Sequence, residues 1–418
     1  MTKRLILAFV FLSWHLVACS NGDSGISSGL PDKPSAEEDS PGTETISEEM
    51  RVKITGEDLY ISAKLDAKTD ILYWFKKCMF NELFTFYRVG TIDNNMPAPV
   101  TLPDASPTSL LNLAYSDNIG PFNITGYGWC GGNHPYLDEV TQTARNIGYR
   151  IYIDGKEIKT DLSTLTKEIK IEVINEIMNP SKADTSSGKT LLNEILCIET
   201  VNYSIYRNNI QVLVTHEFQN ESPVTVQMYY GMQSMFDKET HTLTANGKYV
   251  DWTVQKDVST FTKKEYPSFR RFIEKSANAY QSSYLFADGL GNHEEISDDD
   301  IIFIGNSSNK TYHKIIADRE HKKGDIIHWS GVYTWFKSPV SDDDDLLCYE
   351  GVIDNKKVLF IDCKKNVDRT IQLPVDYTKK SFTIIEKSKS ITITGNKVTA
   401  KGLRIVSDGS GSCVITFD

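Results

Sequence analysis

The amino-acid sequence predicts an all-β protein built on one large antiparallel β-sandwich with few short helices. From residue 51 onwards, apolar residues mostly recur with a period of two, in runs rich in aromatic and β-branched residues. Short polar turn sequences separate successive runs, as they do in antiparallel hairpins. The sequence has no self-similar repeat of roughly 20–50 residues, which argues against a propeller or a solenoid.

Residues 1–18 have the pattern of a secretory signal peptide. Two basic residues near the start precede an apolar run at 5–12 that is too short to span a bilayer as a permanent helix. The segment LVAC at 16–19 resembles the bacterial lipobox, in which the cysteine is lipidated and becomes the mature N-terminus. An ordinary secretory signal with a chance cysteine is the alternative. We therefore expect a cell-envelope protein held at a membrane, by preference the outer membrane, only through lipid on Cys19.

Residues 19–50 are predicted to form a disordered acidic tether that starts at the lipidated cysteine. The segment is rich in serine, glycine, proline and acidic residues and has no aromatic residue. Such a composition cannot bury enough apolar area to offset the entropy lost on ordering. No glycine- or proline-rich linker interrupts residues 51–380, so we expect one large β-sandwich domain there. Residues 381–418 are predicted to form a small C-terminal β unit.

Within the predicted sandwich, strand-like runs follow one another closely. They lie at 58–65, 71–80, 83–90, 149–158, 170–177, 196–206, 210–218 and 224–232. Two-residue hairpin turns are predicted at Asp154-Gly155 and Asn208-Asn209. The helix predictions are 105–115 and 268–281, because apolar residues in the second segment recur at helical spacing.

The composition and motif content argue against several function classes. The chain has 45 Lys and Arg against 56 Asp and Glu, a net charge of −11, so we do not expect a nucleic-acid partner. It lacks a P-loop, a dinucleotide fingerprint and an HExxH motif, and its GxSxG match at 25–29 lies in the predicted disordered tether rather than between a strand and a helix. The six cysteines after Cys19 include no CxxC pair, so no zinc site is expected, while disulfides and free buried thiols stay open alternatives. The sequence favours no oligomeric state.

The segment YGWCGGNHPYLDE at 127–139 is the first candidate ligand site. It combines aromatic faces with polar and titratable groups on a glycine-rich loop, the mixture that a sugar ring needs for stacking and directional hydrogen bonds. The candidate ligand-binding residues are Tyr127, Trp129, Asn133 and Tyr136, and His134 is a candidate acid or base. A glycine-rich connection with buried aromatic residues is the alternative.

Two strand-like segments supply further candidates. Alternation places His216 in an apolar stripe, either as an acid/base group or as a hydrogen-bonded core histidine. In the segment 328–336, one face carries Trp329, Tyr333 and Trp335, with a gap at Gly331. This face is predicted to be either a stacking platform for a glycan or one wall of the core.

No cofactor is expected, and calcium is the one candidate ion. Two acidic runs, at 298–300 and 342–345, cluster carboxylates of the kind that bind calcium. Neither run has the spacing of an EF-hand, and solvated loops are the simpler explanation.

Two resemblances extend these predictions. The lipobox, acidic tether and β-rich body resemble exported lipoproteins of glycan-foraging Gram-negative bacteria. The segment IQVLVTHEFQNESPVTVQMYYGMQ at 210–233 is similar to aldose-epimerase-like (galactose mutarotase-type) proteins, which implies a supersandwich-like fold. In that family a histidine and a glutamate on separate strands protonate the ring oxygen and deprotonate the anomeric hydroxyl. The resemblance implies these roles for His216 and, as the best-placed glutamate, Glu350.

Three functions are compatible with these residues. The first is the binding or handling of a glycan at the cell surface through the aromatic residues. The second is a carbohydrate-active enzyme of the epimerase or polysaccharide-lyase type, with His134, His216, Tyr229 and Glu350 as candidate catalytic residues. The third is a structural or adhesive surface protein that binds another protein through a broad apolar patch.

Overall fold

The computed structural model describes most of the chain after residue 45. The described residues are 46–102, 111–114, 119–235, 241–243, 249–251, 259–261, 270–276, 279–286, 302–305 and 310–418. The predicted signal peptide, Cys19, residues 20–45 of the predicted tether and the acidic run at 298–300 lie outside them. In the described part of the chain, no helix has both the length and the apolar character needed to cross a membrane.

Strands account for nearly all regular structure in the described residues, which confirms the all-β prediction. In chain order they are β1 Met50–Thr55, β2 Asp58–Asp66, β3 Thr69–Cys78, β4 Leu83–Asp93, β5 Leu111–Ala114, β6 Ile119–Ile124, β7 Gly128–Cys130, β8 Ala144–Ile153, β9 Lys156–Ile158, β10 Leu162–Thr166, β11 Ile169–Met178, β12 Ala183–Asp184, β13 Leu191–Leu192, β14 Ile195–Tyr206, β15 Asn209–Phe218, β16 Val224–Met235, β17 His241–Leu243, β18 Tyr249–Asp251, β19 Ser259–Phe261, β20 Arg271–Lys275, β21 Tyr280–Leu285, β22 Ile302–Gly305, β23 Lys310–His321, β24 Ile326–Phe336, β25 Ser341–Asp342, β26 Leu346–Ile353, β27 Lys356–Cys363, β28 Val367–Ile371, β29 Phe382–Lys387, β30 Ile391–Ile393, β31 Leu403–Ser407 and β32 Gly411–Phe417. Among these residues the helical elements are two short 3-10 turns, Pro180–Lys182 and Val375–Tyr377.

The helix predictions are wrong where the structure describes them. In the predicted segment 268–281, strand β20 pairs antiparallel with β21. The first four residues of β20 are buried, so both of its faces are covered and the period of two is lost from the sequence. Strand β5 occupies 111–114 of the other predicted helix, and residues 105–110 lie outside the described residues.

The hairpin turns follow the local sequence closely. Asp154 and Gly155 have φ of 47° and 77°, as a type I′ turn between β8 and β9 requires. The turn between β14 and β15 is Arg207-Asn208, one residue earlier than predicted, because Asn209 already pairs with Tyr206.

Within the described residues, the strands form five antiparallel sheets and one two-stranded ribbon. Their orders are β10-β1-β2-β3-β4-β5 (sheet I), β18-β17-β20-β21-β24-β15-β14-β11-β8-β9 (sheet II), β19-β22-β23-β16-β6-β7 (sheet III), β25-β26-β27-β32-β29 (sheet IV), β28-β31-β30 (sheet V) and β12-β13 (the ribbon). Sheet IV therefore joins strands from both sides of residue 380.

Sheets I and III share one hydrophobic core with a face of sheet II. Phe75 of sheet I meets Tyr203 of sheet II edge-on, with ring centroids 5.4 Å apart. Phe122 of sheet III meets Phe218 of sheet II in the same way, at 6.1 Å. These contacts build a large β-sandwich with sheet II as its common layer.

The C-terminal strands add two further layers. Phe336 of sheet II stacks on Tyr349 of sheet IV, with ring centroids 4.3 Å apart, in a second core. A third core lies between sheets IV and V and includes Cys348, Ile391 and Ile405. The second half of strand β24, residues 331–336, is consequently buried on both faces, which explains the apolar residues on both of its sides.

Candidate functional site

Four aromatic side chains form a row on the face of sheet III that points away from the core. They are Tyr136, Trp129, Tyr230 and Tyr312, each partly exposed, and we call them the aromatic row. Trp129 lies near-parallel to Tyr136 and Tyr230, with centroid distances of 6.2 and 6.0 Å and interplanar angles of 29° and 19°. Tyr230 continues the row to Tyr312, at 5.0 Å and 30°.

Strand alternation places these rings on one surface. On β16, Tyr229 is fully buried in the core, whereas the next residue, Tyr230, is partly exposed on the opposite face. Tyr230 is in register with Lys314 of β23, and Trp129 of β7 is in register with Asn123 of β6. Two partly exposed hydrogen-bonding side chains, Lys314 and Asn123, thus lie opposite rings of the row on the adjacent strands β23 and β6.

The glycine-rich loop that carries part of the row is held by the preceding β3–β4 turn. The Asn81 side-chain amide donates to the carbonyl oxygen of Gly132 at 2.7 Å, and the backbone N–H of Leu83 donates to Asn133 Oδ1 at 3.3 Å. Gly132 has a φ of 58°, a conformation that favours glycine. Asn133 is only 3% exposed, so we correct its assignment as a ligand contact: it is a structural residue of this loop.

Asp138 fixes the segment that follows Tyr136. Its Oδ1 accepts from the backbone N–H groups of Val140 and Thr141 at 2.9 and 2.7 Å, and its Oδ2 accepts from the Thr141 hydroxyl at 2.8 Å. These hydrogen bonds lower the pKa of Asp138 to about 2, and the bond from the Val140 N–H has the largest effect. The carboxylate is therefore charged at neutral pH, and its hydrogen bonds brace the backbone of residues 138–141 beside Tyr136.

The structure brings some of the predicted loop residues together. His134 meets Tyr136 edge-on, with centroids 5.7 Å apart, at the end of the aromatic row. Tyr127 lies on the β6–β7 turn and is 55% exposed. Trp129, Tyr136 and His134 therefore share one surface, and Tyr127 is accessible on the adjoining turn.

His216 and Tyr229 are core residues, which corrects their assignment as catalytic candidates. Both are fully buried, with ring centroids 5.0 Å apart. His216 Nε2 lies 3.0 Å from Glu199 Oε2, and the Tyr229 hydroxyl accepts from Trp329 Nε1 at 2.9 Å. Burial raises the pKa of Tyr229 well above its usual value, so the phenol stays neutral.

Trp329, Tyr333 and Trp335 share one face as predicted, but that face is not a platform for a ligand. They are at most 1% exposed and belong to the core between sheets I, II and III. The expected gap at Gly331 is occupied by Met232, whose sulfur would lie 2.8 Å from a Cβ placed on the glycine. The stacking-platform prediction is therefore wrong, because sheets I and III cover this face.

Glu350 lies in a different part of the molecule from His216. It lines a cavity of about 200 Å³ together with Asn208. His216 is eight residues farther along the chain, and that length of extended strand spans about 26 Å. The structure does not assemble the His216–Glu350 pair that the family resemblance implied.

Carboxylates of the acidic run at 342–345 form ion pairs with lysine and arginine side chains. Asp342 accepts from Lys275 at 2.7 Å and from Lys364 at 3.1 Å, and Arg369 pairs with Asp343 at 2.7 Å. In the described part of the chain, no group of three or more acidic, histidine or cysteine residues is arranged to hold a metal ion. The six cysteines after Cys19 are buried, and none of them forms a disulfide within the described residues.

Two members of the aromatic row, Tyr230 and Tyr312, are not among the ligand-binding residues predicted from the sequence. Tyr230 follows the buried Tyr229, so the alternation of the predicted strand 224–232 already placed it on the other face. Tyr312 lies on β23, a strand that is not among those predicted from the sequence.

No family model and no curated protein matches the sequence. Among solved structures, the chain is similar to the GH36 α-galactosidase AgaB from Geobacillus stearothermophilus, with 7% identity, a TM-score of 0.39 and coverage of 69% of this chain and 41% of that chain. It is also similar to the galactosidase domain of the α-galactosidase-sucrose kinase AgaSK, with 10% identity, a TM-score of 0.37 and coverage of 68% and 41%. The chain thus spans about two fifths of the length of these two proteins.

A proposed aldose 1-epimerase from Klebsiella pneumoniae is a further similar structure. The identity is 7% and the TM-score 0.28, with 68% of this chain and 82% of that chain covered. The similar structures thus include an aldose-epimerase-like protein, the family that the segment 210–233 resembles, at low similarity. Similarities of this size assign the chain to no family.

Proposed function

We propose that this protein binds glycan chains through the aromatic row, without a catalytic role for the buried His216 and Tyr229. The observation that carries the proposal is the set of near-parallel, partly exposed rings on strands β23, β16 and β7 of sheet III and on its adjoining loop. Exposed aromatic rings are costly to leave in water, and a sugar ring covers such a face with its C–H groups.

The surroundings of the row supply the directional contacts that a sugar needs. Asn123 and Lys314 offer hydrogen-bond donors for hydroxyl groups, and each lies on a strand of the same sheet. The network of Asn81 and Asp138 keeps the loop with Trp129 and Tyr136 in place before a ligand arrives. A fixed surface loses little conformational entropy on binding, which favours affinity for a repeating chain.

The proposed location of this activity is the cell surface. Lipid on Cys19 would hold the protein at the membrane, and the acidic segment at 20–45 would separate it from the folded part, which already includes Glu48 and Met50. This proposal rests on the sequence of the first fifty residues alone. Radiolabelled palmitate incorporation, lost in Cys19→Ala, tests it independently of glycan binding.

Affinity electrophoresis through gels that contain soluble polysaccharides tests the binding proposal. We expect at least one polysaccharide to retard the wild-type protein and Trp129→Ala to lose most of the retardation. Trp74→Ala is the matched control, because Trp74 is also partly exposed and meets two rings, Tyr60 at 5.4 Å and Tyr87 at 5.1 Å, on sheet I. Equal retardation of the wild type and a folded Trp129→Ala protein would contradict the proposal.

A further inference from the structure

The cavity that Glu350 lines has the features of a second binding site. It has a volume of about 200 Å³, and its walls come from the Arg207-Asn208 turn, the segment 350–352, Asn355 and Tyr377. A water molecule occupies about 30 Å³ in the liquid, so this space exceeds that of a few waters. It is smaller than the roughly 300–1,000 Å³ of sites for drug-sized ligands, which points to a ligand of about one ring.

Positive charge is in excess around the cavity. Three cations line it, Arg207, Lys167 and Lys357, against the two carboxylates of Glu48 and Glu350. Lys357 pairs with Glu48 at 3.2 Å, and a hydrogen bond from Tyr377 engages Glu350. A hydrogen bond from Lys357 and its charge, aided by the charge of Arg207, lower the pKa of Glu48.

The Arg207 guanidinium is the group left for a ligand. Among the described residues, it donates no hydrogen bond and forms no ion pair. Its backbone has a φ of 41°, in the left-handed region that favours glycine at a hairpin turn. Backbone strain of this kind persists where the surrounding structure holds it, commonly at a functional position.

The walls of the cavity are fixed relative to one another. The Tyr73 hydroxyl donates to the Arg207 carbonyl oxygen at 3.0 Å, which anchors the strained turn. Gln211 and Asp354 exchange two hydrogen bonds, at 2.9 and 3.1 Å, and so join the β14–β15 and β26–β27 hairpins. A site built from rigid hairpins needs little rearrangement to bind a ligand.

We propose that this cavity binds a sugar acid of about one ring, with the carboxylate paired to Arg207. A guanidinium binds a carboxylate through two parallel N–H···O bonds, which a neutral sugar cannot form. The side-chain amide of Asn355 is available at the wall for ring hydroxyls, whereas that of Asn208 donates to the Trp335 carbonyl oxygen at 2.7 Å and fixes the turn. The site uses none of the residues of the aromatic row, so the inference stands apart from the proposed glycan-binding function.

Isothermal titration calorimetry with glucuronate, galacturonate, glucose, galactose and acetate tests this proposal. We expect a uronate to bind and the neutral sugars and acetate to bind at least tenfold more weakly. Arg207→Gly should weaken uronate binding by about 10- to 100-fold, the effect of losing charge-assisted hydrogen bonds. The same variant should keep or raise the melting temperature, because glycine suits the φ of 41°.

Lys356→Ala is the matched control, since Lys356 is an exposed cation of the same hairpin that does not line the cavity. It should leave uronate binding unchanged. The proposal is overturned if no uronate binds, if acetate binds as well as the uronates, or if a folded Arg207→Gly protein keeps full affinity. Retardation by polysaccharide gels should be unaffected in Arg207→Gly, so a failure of this site and a failure of the aromatic row give different results.

Discussion

Gly331→Ala tests whether the Trp329–Trp335 face of β24 is a tightly packed interior. Gly331 is in register with Val212 on one side and Leu285 on the other, so both neighbouring strands constrain it. A Cβ at this position would lie 2.6 Å from the carbonyl oxygen of Tyr284, where ordinary contact is 3.4–4 Å. Because that oxygen belongs to the backbone of β21, the strand itself has to move.

The expected cost follows from this geometry. Overpacking destabilises a fold by about 1–3 kcal/mol, whereas replacing glycine by alanine within a strand stabilises it by about 0.5–1 kcal/mol, because glycine loses more backbone entropy on folding. Because the clash is with backbone, the overpacking cost lies near the upper end of its range, and we expect the free energy of unfolding to fall by about 2 kcal/mol. In a folded part larger than about 250 residues, this lowers the melting temperature in circular dichroism by roughly 2–4 °C.

Gly148→Ala provides the matched control for this measurement. Gly148 lies on β8 of the same sheet, and a Cβ there would have no atom within 4 Å. We expect this variant to be neutral or more stable by about 0.5 kcal/mol. If Gly331→Ala melts at the wild-type temperature, β24 is not packed as described and the core assignment of its tryptophans is refuted.

Two further predictions concern buried groups. Burial lowers the pKa of His321, which stacks on Phe218 at 4.3 Å, to about 4, against about 6.5 in the unfolded chain. Between about pH 6.5 and 4 the unfolded state therefore binds one proton more than the folded state, so the free energy of unfolding should fall as the pH is lowered through this range. In His321→Phe, the urea midpoint should depend less on pH over the same range. An unchanged pH dependence of the urea midpoint would contradict the burial of a neutral His321. The six cysteines after Cys19 are all buried, so a thiol reagent should label them rapidly in the denatured protein and only slowly in the native protein. Rapid labelling of the native protein would refute their burial.

The sequence was sufficient for the fold class because alternation is strong wherever one face of a strand is covered. The predicted strand 196–206 corresponds to β14, Ile195–Tyr206, almost residue for residue. The same rule failed at β20, whose two faces are both buried and whose apolar residues therefore lack alternation.

The candidate site was harder to predict, because exposure depends on which sheet covers a face. Trp129 and Trp335 both lie on strands, yet a second layer covers only Trp335. The local sequence of a strand does not indicate whether a second layer packs over it. The partners in the cavity are equally non-local: Glu350 lies on β26 of sheet IV, and Tyr377, 27 residues later, lies on the turn between β28 of sheet V and β29 of sheet IV.

Fluorine NMR of the protein labelled with 5-fluorotryptophan tests the central claim most directly. With the resonances assigned by single Trp→Phe variants, a polysaccharide that retards the protein should shift the signal of Trp129 and leave those of Trp329 and Trp335 in place. Movement of the two core signals with no change at Trp129 would contradict the account, because the sugar would then bind elsewhere than at the aromatic row.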